Sequence, residues 1–191
     1  MDPNDTNSYL TFEDFDLGRF ITEAAFSAII LFASAAYAEE MEMENIDIHL
    51  GFSQIPDDHT CEGRNVSPKI EVHGLNATSV VVIIEDKDAP SGVFTHWIIW
   101  NIPPVDVIQE GIPNDAAVMK PIQAVQGQNS FGKVGYLGPC PPPGRPHRYF
   151  FWVFGLDTML DLQPGASRQR LERAMAGHVL QQGVAMATYG R

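Results

Sequence analysis

Basic residues are scarce in this chain. Lys and Arg together number 12 against 24 Asp and Glu, which gives a formal net charge of −12 at pH 7. Binding to a nucleic-acid backbone depends on a basic surface that neutralises phosphates. The composition therefore argues against nucleic acid as a partner. An acidic protein that binds an anion must do so in a pocket whose local donors oppose its own overall field.

Cysteine and metal-ligand spacings are equally sparse. The two cysteines, Cys61 and Cys140, are too few for a disulfide scaffold and form no CxxC pair. The histidines show neither an HxH nor an HExxH spacing. We therefore expect no metal site and no cofactor. One disulfide is compatible with the sequence, but the sequence alone does not bring two sulfurs together.

Long apolar runs are nearly absent. Residues 24–38 form a small, apolar segment of 15 residues, short of the roughly 20 that a spanning helix needs. The segment follows an acidic leader and ends in an A-x-A pattern at Ala36–Ala38. The pattern predicts a secretory signal or membrane anchor within residues 1–43, and an exported, periplasmic or membrane-anchored protein. Because the leader is acidic, an uncleaved amphipathic helix, a start codon assigned too early and a cytoplasmic location stay open.

Residues 44–191 are expected to form one domain made mainly of strands. Residues 46–50 alternate between apolar and polar, as a half-buried strand does. Residues 79–85, 97–102 and 148–156 are β-branched or aromatic runs bounded by turn residues, and residues 184–189 suit a closing strand. The predicted fold class is mainly β, either a sandwich or a partly closed barrel.

Two other segments of this domain are distinctive. Apolar residues recur at helical spacing after Ser167, which predicts a helix capped by Ser167 and ended by Gly183. The segment from Pro103 to Pro146 is rich in Gly, Pro and Asn and has little periodicity. A stretch of that length either has a function or conceals short strands.

Three segments place polar groups at predicted strand ends. Asp86–Pro90 follows one strand, and ordinary turn chemistry explains it equally well. Thr95–Trp97 begins the next strand, where His96 suits either packing or anion binding. The third segment, Gly135–Tyr149, combines prolines with glycines that let a ligand approach the backbone, although a polyproline surface segment is the alternative. Together they suggest a shallow site for a phosphate or carboxylate.

The order and spacing of several motifs resemble those of the phosphatidylethanolamine-binding proteins, also called Raf kinase inhibitor-like proteins, and above all the prokaryotic branch. The resemblance covers about residue 45 to the C-terminus. The motifs that carry it are Cys61–Pro68, Asp86–Pro90, Thr95–Trp97, Asn129–Gly132, Gly138–Pro142 and His147–Tyr149.

This resemblance implies a two-sheet antiparallel β-sandwich with one or two short helices and a small anion pocket at one end. The ligand-binding residues that it implies are Asp86, Asp88, Pro90, Phe94, His96, Gly138, Cys140, Pro141, Pro142, His147 and Tyr149. It also implies that Cys61 and Cys140 lie close together, with a disulfide between them as one outcome. Lys87 departs from the family, which usually has Pro there, and is expected to add a cation near the pocket rim.

Three functions compete at this stage. The first is binding of a phosphate-containing or carboxylate ligand, such as a phospholipid head group. The second is inhibition of a kinase or protease through the rim loops. The third is hydrolysis by an Asp86–His96 pair or by Cys140, which we do not favour because no activated nucleophile is evident. A homodimer and membrane contact through the N-terminal segment are further expectations.

Overall fold

The computed structural model describes residues 44–191, so the predicted signal or anchor segment at 1–43 lies outside the described residues. Within residues 44–191, a 3₁₀-helix spans Asp57–His59 and a single α-helix, α1, spans Arg168–Met175. The strands are β1 (Glu44–Asn45), β2 (Asp47–His49), β3 (Ile70–His73), β4 (Ser79–Asp86), β5 (Phe94–Ile102), β6 (Val107–Ile108), β7 (Ala117–Val118), β8 (Ala124–Gln126), β9 (His147–Leu156) and β10 (Val179–Tyr189).

These strands form two sheets. The large sheet has the order β1-β10-β9-β4-β5-β8-β7, and the small sheet has the order β2-β3-β6. Neighbouring strands are antiparallel except for the short pair β1 and β10, which is parallel. The predicted mainly β fold with two sheets is thereby confirmed.

The main core lies between the two sheets. Ile70 and Val72 of β3 pack there with side chains of the large sheet such as Val82 and Trp97. A second core lies on the outer face of the large sheet, where Leu171 of α1 packs with further residues of β4 and β5. Strand β4 is therefore buried on both faces, which explains why its sequence is continuously apolar rather than alternating.

The helix is shorter than the sequence predicts. Ser167 holds the N-cap position, but its side chain makes no capping hydrogen bond. The helix ends at Met175, and Gly177 follows with a φ of 82°, a left-handed conformation that glycine adopts without penalty. The prediction that Gly183 ends the helix is wrong, because Gly183 lies within β10, opposite Val153 of β9.

The long segment from Pro103 to Pro146 contains three short strands, β6, β7 and β8. Strands of two or three residues give too little periodicity to be recognised in sequence. The alternative that this segment conceals short strands is confirmed. Its last part, after β8, remains a loop and forms one wall of the candidate site described below.

Candidate functional site

The candidate site lies where three neighbouring strands of the large sheet come together at one end. Pairing places Asp86, the last residue of β4, opposite Phe94 of β5 and Tyr149 of β9. His96 follows Phe94 by two residues, so its side chain emerges on the same face of the sheet. The sheet register thus gathers polar and aromatic side chains from three strands at one edge.

Both carboxylate oxygens of buried Asp86 are engaged. Oδ2 lies 2.7 Å from Nδ1 of His147, the first residue of β9. Oδ1 accepts a hydrogen bond from the backbone N–H of Asp88 at 2.8 Å, which is the turn chemistry typical of Asp. Because Asp86 engages Nδ1 of His147, the remaining ring nitrogen, Nε2, is the one left for other contacts.

Asp88 does not line the pocket. Its carboxylate accepts hydrogen bonds from Nε and Nη2 of Arg148, both at 2.8 Å, and from the Arg148 backbone N–H at 2.9 Å. The Arg148 side chain, helped by its backbone N–H, holds the pKa of Asp88 well below its usual range. A bidentate pair of this kind fixes the shape of the rim, so the structure places Asp88 beside the site rather than in it.

The opposite wall is a loop that starts at Gly138. The Gly138 N–H donates to Oδ1 of Asn65 at 2.7 Å. A Cβ at Gly138 would lie 2.3 Å from the carbonyl oxygen of His59, so this position requires glycine. A disulfide joins Cys61 to Cys140, with the two Cα atoms 5.4 Å apart. The loop is therefore held covalently as well as by hydrogen bonds.

His96 and Tyr149 carry hydrogen-bonding capacity that the protein does not use. Nδ1 of His96 donates to the carbonyl oxygen of Leu137 at 2.6 Å, and its Nε2 makes no hydrogen bond within residues 44–191. The buried Tyr149 hydroxyl interacts with the nearby Asp86 carboxylate, but it finds no hydrogen-bond partner of standard distance and angle within that range. The two rings lie 5.4 Å apart. Because buried polar groups are normally paired, these two atoms indicate where a ligand could bond.

Burial sets the protonation states of these two side chains. Burial lowers the pKa of His96, although the hydrogen bond to Leu137 and the charge of Asp86 act in the opposite direction. The imidazole is therefore neutral at pH 7. Burial, together with the charge of Asp86 and the hydrogen-bonding interaction of the hydroxyl with it, raises the pKa of Tyr149. The site thus offers a hydroxyl donor and, at neutral pH, an imidazole acceptor.

Together these groups enclose a pocket of about 410 Å³. Apart from Asp88, every residue that the sequence places at the site lines it: Asp86, Pro90, Phe94, His96, Gly138, Cys140, Pro141, Pro142, His147 and Tyr149. The lining residues that the sequence analysis did not assign to ligand binding are Cys61, Ala89, Ser91, Phe131 and Leu137. Phe131 could have been found, because an aromatic residue stands out in the polar loop Asn129–Gly132.

Lys87 does not extend into the pocket. Its ammonium lies 4.4 Å from the ring centre of Phe150 and 5.0 Å from that of Trp152, and 3.5 Å from a carboxylate oxygen of Glu85. The expected cation near the pocket rim is therefore wrong. Lys87 directly follows Asp86, the last residue of β4, and its side chain extends over Phe150 and Trp152 rather than toward the pocket.

Among residues 44–191, no group of three or more His, Cys, Asp or Glu side chains could hold a metal ion. Over the same residues, no helix has the length and apolar composition needed to cross a bilayer. The pocket is also free of Lys and Arg among its lining residues in this range.

Comparison with known proteins adds a family model and sequence relatives. Residues 50–190 match the family model described as phosphatidylethanolamine-binding protein. A UPF0098 protein of Pyrococcus abyssi is 54% identical over 140 residues, which covers 72% of this chain and 79% of the relative. A UPF0098 protein of Pyrococcus horikoshii is 50% identical over 156 residues, which covers 80% of this chain and 79% of the relative.

Solved structures agree with the sequence relatives. A phosphatidylethanolamine-binding protein homologue from Chlamydia trachomatis superposes with a TM-score of 0.67 at 34% identity, covering 77% of this chain and 97% of that one. Escherichia coli YbcL, described as a member of the mammalian family, gives a TM-score of 0.69 at 27% identity, covering 76% of this chain and 98% of that one.

Proposed function

This chain belongs to the phosphatidylethanolamine-binding protein family, and from the geometry of its pocket we propose that it binds a phosphate group, either on a phospholipid head group or on another phosphorylated ligand. One observation carries the proposal. Nε2 of His96 has no hydrogen-bond partner within residues 44–191, and the Tyr149 hydroxyl, which lies beside the Asp86 carboxylate, has none of standard distance and angle in that range. A regulatory role would follow if different phosphorylated ligands compete for this pocket.

The protonation states favour a singly charged phosphate. The Tyr149 hydroxyl donates to one phosphate oxygen. Neutral His96 accepts the proton of a P–OH group at Nε2, or takes that proton up and donates in return. The carboxylate of Asp86 lies beside the site and repels a dianion, which favours the monoanion. The glycine and proline wall admits a ligand close to the backbone.

Titration calorimetry with phosphorylethanolamine and with inorganic phosphate tests this proposal. We expect His96→Gln to weaken binding about tenfold, which corresponds to the loss of one hydrogen bond to a charged group. His178→Gln is the matched control, because His178 is an exposed histidine paired with Asp157 and does not line the pocket. No heat and no NMR shift at millimolar ligand would contradict the proposal, and so would equal losses in the two variants.

A second candidate is inhibition of a kinase or protease through the rim loop. The loop of residues 142–146 is exposed and rich in proline, and the side chain of Arg145 within it is 82% exposed. A rigid loop that presents one basic side chain suits insertion into the cleft of an enzyme. Inhibition assays with the native chain and with Arg145→Ala test it, and equal inhibition by both would contradict a role for this loop.

The contacts of Cys140, Asp86 and His96 argue against the two hydrolytic arrangements that the sequence left open. Cys140 forms a disulfide with Cys61, so it offers no thiolate for nucleophilic attack. An Asp86–His96 pair is also not formed, because the hydrogen bond of Asp86 goes to His147 and that of His96 goes to Leu137. Binding therefore accounts for the arrangement better than catalysis does.

A further inference from the structure

The pocket is larger than a phosphate group requires. Its volume is about 410 Å³, within the range of roughly 300–1,000 Å³ that holds whole small molecules. A phosphate group bonded to His96 and Tyr149 would occupy only that end of the pocket. The remaining lining is mostly apolar and includes Pro90, Phe131 and Leu137. The pocket therefore has room for an apolar portion attached to the acidic group of a ligand.

Aromatic rings form a continuous row from the pocket mouth to its floor. The ring centre of Phe131 lies 4.9 Å from that of Phe94, in an edge-on arrangement. Phe94 lies 4.7 Å from His96, and His96 lies 5.4 Å from Tyr149. In such tilted and edge-to-face contacts, the positive edge of one ring lies near the negative face of the next. A further ring in the ligand would extend the same pattern.

Phe131 is exposed but firmly placed. Its side chain is 70% exposed, yet its backbone N–H donates to Oδ1 of Asn129 at 3.0 Å. The same oxygen accepts from the N–H of Lys133 at 3.2 Å, and the N–H of Ser130 donates to the Thr95 carbonyl at 2.9 Å. The loop therefore holds an aromatic ring at the pocket mouth without burying it, so a ligand can gain the contact area that folding leaves unused.

Charge alone gives this pocket little affinity. No Lys or Arg stands among its lining residues in the described range, and Asp86 contributes a negative charge. We propose, on the basis of the phosphate-binding function above, that the pocket selects aryl phosphates and that Phe131 determines this preference. The phosphate bonds to Tyr149 and His96, and the attached ring packs against Phe94 and Phe131.

Calorimetry on the full chain with three probes tests the proposal: phenyl phosphate, cyclohexyl phosphate and methyl phosphate. We expect phenyl phosphate to bind about tenfold more tightly than methyl phosphate, with cyclohexyl phosphate in between, since a ring contact adds to area burial. In Phe131→Ala the preference for phenyl over methyl phosphate should shrink to about twofold. Met119→Ala is the matched control, because that side chain is 72% exposed and does not line the pocket.

The outcomes separate the two proposals. If phenyl and methyl phosphate bind equally well to the native chain, the preference is overturned and phosphate binding stands. If the preference survives in Phe131→Ala, or if cyclohexyl phosphate binds as tightly as phenyl phosphate, the role of Phe131 as an aromatic selector is overturned. If no probe binds, both proposals fail. Unfolding curves of the variants check that each one folds.

Discussion

Glu85 and Asp86 are consecutive in β4 and both are buried, but they face opposite sides of the large sheet. On the outer face, Glu85 accepts hydrogen bonds from Nη1 of Arg168 at 2.5 Å and from Nε1 of Trp152 at 2.9 Å. On the other face, Asp86 pairs with His147 beside a pocket where further polar atoms lack partners.

The difference between these faces shows that a buried charge beside a cavity is not in itself a sign of function. Glu85 and Arg168 also border a cavity, of about 340 Å³. There, burial opposes ionisation of Glu85, but the hydrogen bond and charge of Arg168 outweigh it, so the pKa of Glu85 is lowered. The ion pair is complete within the protein. The pocket face differs because Nε2 of His96, which has no hydrogen-bond partner within residues 44–191, lines a cavity that a ligand can enter. The outer core also holds such an atom, Nε1 of buried Trp100, but Trp100 does not line the cavity beside Glu85.

The largest effect should come from the cross-link of the pocket wall. The Cys61–Cys140 disulfide spans a sequence separation of 79. Closing a loop of that length restricts the unfolded chain and thereby adds about 4 kcal/mol to the free energy of unfolding. We expect the Cys61→Ser, Cys140→Ser double variant to lose that much free energy of unfolding in urea. Native protein with reductant should show the same loss. A loss under about 1 kcal/mol would mean that the hydrogen bonds of the loop suffice.

On the outer face, Glu85→Ala should cost about 3 kcal/mol in the free energy of unfolding, because it leaves Arg168 without its buried partner. Phosphate affinity should change by less than about twofold, since Glu85 does not line the pocket. Glu172→Ala is the control: Glu172 pairs with Arg168 across one helical turn and is half-exposed, so about 0.5 kcal/mol is expected. A large loss of phosphate affinity in Glu85→Ala would show that the two faces are coupled.

Removing one donor from each face should have opposite effects on stability. Tyr149→Phe deletes a buried hydroxyl that makes no hydrogen bond of standard distance and angle, so the ligand-free protein should gain about 1 kcal/mol while phosphate binding weakens. Trp152→Phe deletes the donor to Glu85 and should lose about 2 kcal/mol with binding retained. Unfolding curves and calorimetry of both variants measure this. Destabilisation by Tyr149→Phe would mean that the hydroxyl is already satisfied in solution.

The pocket face should also respond to pH. Burial keeps His96 neutral at pH 7, and a bound anion favours its protonated form, so the complex takes up a proton that the free protein lacks. Affinity for sulfate, whose own charge is constant here, should rise up to about tenfold as the pH falls from about 7 to about 5. His96→Gln should remove this dependence. A flat profile in the native chain would contradict proton-linked binding.

The free energy of unfolding of the ligand-free protein should depend on pH. His96 on the pocket face and Glu85 on the outer face should lose their contributions in different pH ranges. The pKa of His96 is lower in the folded state, so its contribution is full above about pH 6.5 and is lost as the pH falls through the folded pKa. The pKa of Glu85 is also lowered, so its contribution is full above about pH 4.5 and is lost only below that. Unfolding curves of the native chain, His96→Gln and Glu85→Gln separate the two windows.

The comparison also shows what the sequence can reveal. The strands β4, β5 and β9 could be predicted because apolar and β-branched runs carry a local signal, and the site residues stand at their ends. Register and long-range pairing carry no such signal. The partner of Asp88 is Arg148, 60 residues away, and the loop that carries Phe131 is joined to β5 by hydrogen bonds between Ser130 and Thr95, which lie 35 residues apart. The predicted end of α1 is wrong because Val179 fits helical spacing yet begins β10.

Lys87 should give the smallest effect, and it marks the boundary between the faces. Its ammonium lies over Phe150 and Trp152, so Lys87→Ala should lose about 0.5 to 1 kcal/mol of the free energy of unfolding. Phosphate affinity should stay within about twofold of the native value, measured by calorimetry, because the side chain faces away from the pocket. An affinity change well beyond that would mean that Lys87 reaches the ligand. In that event Lys87, at the position where the family usually has proline, would affect which ligand binds rather than how the outer face packs.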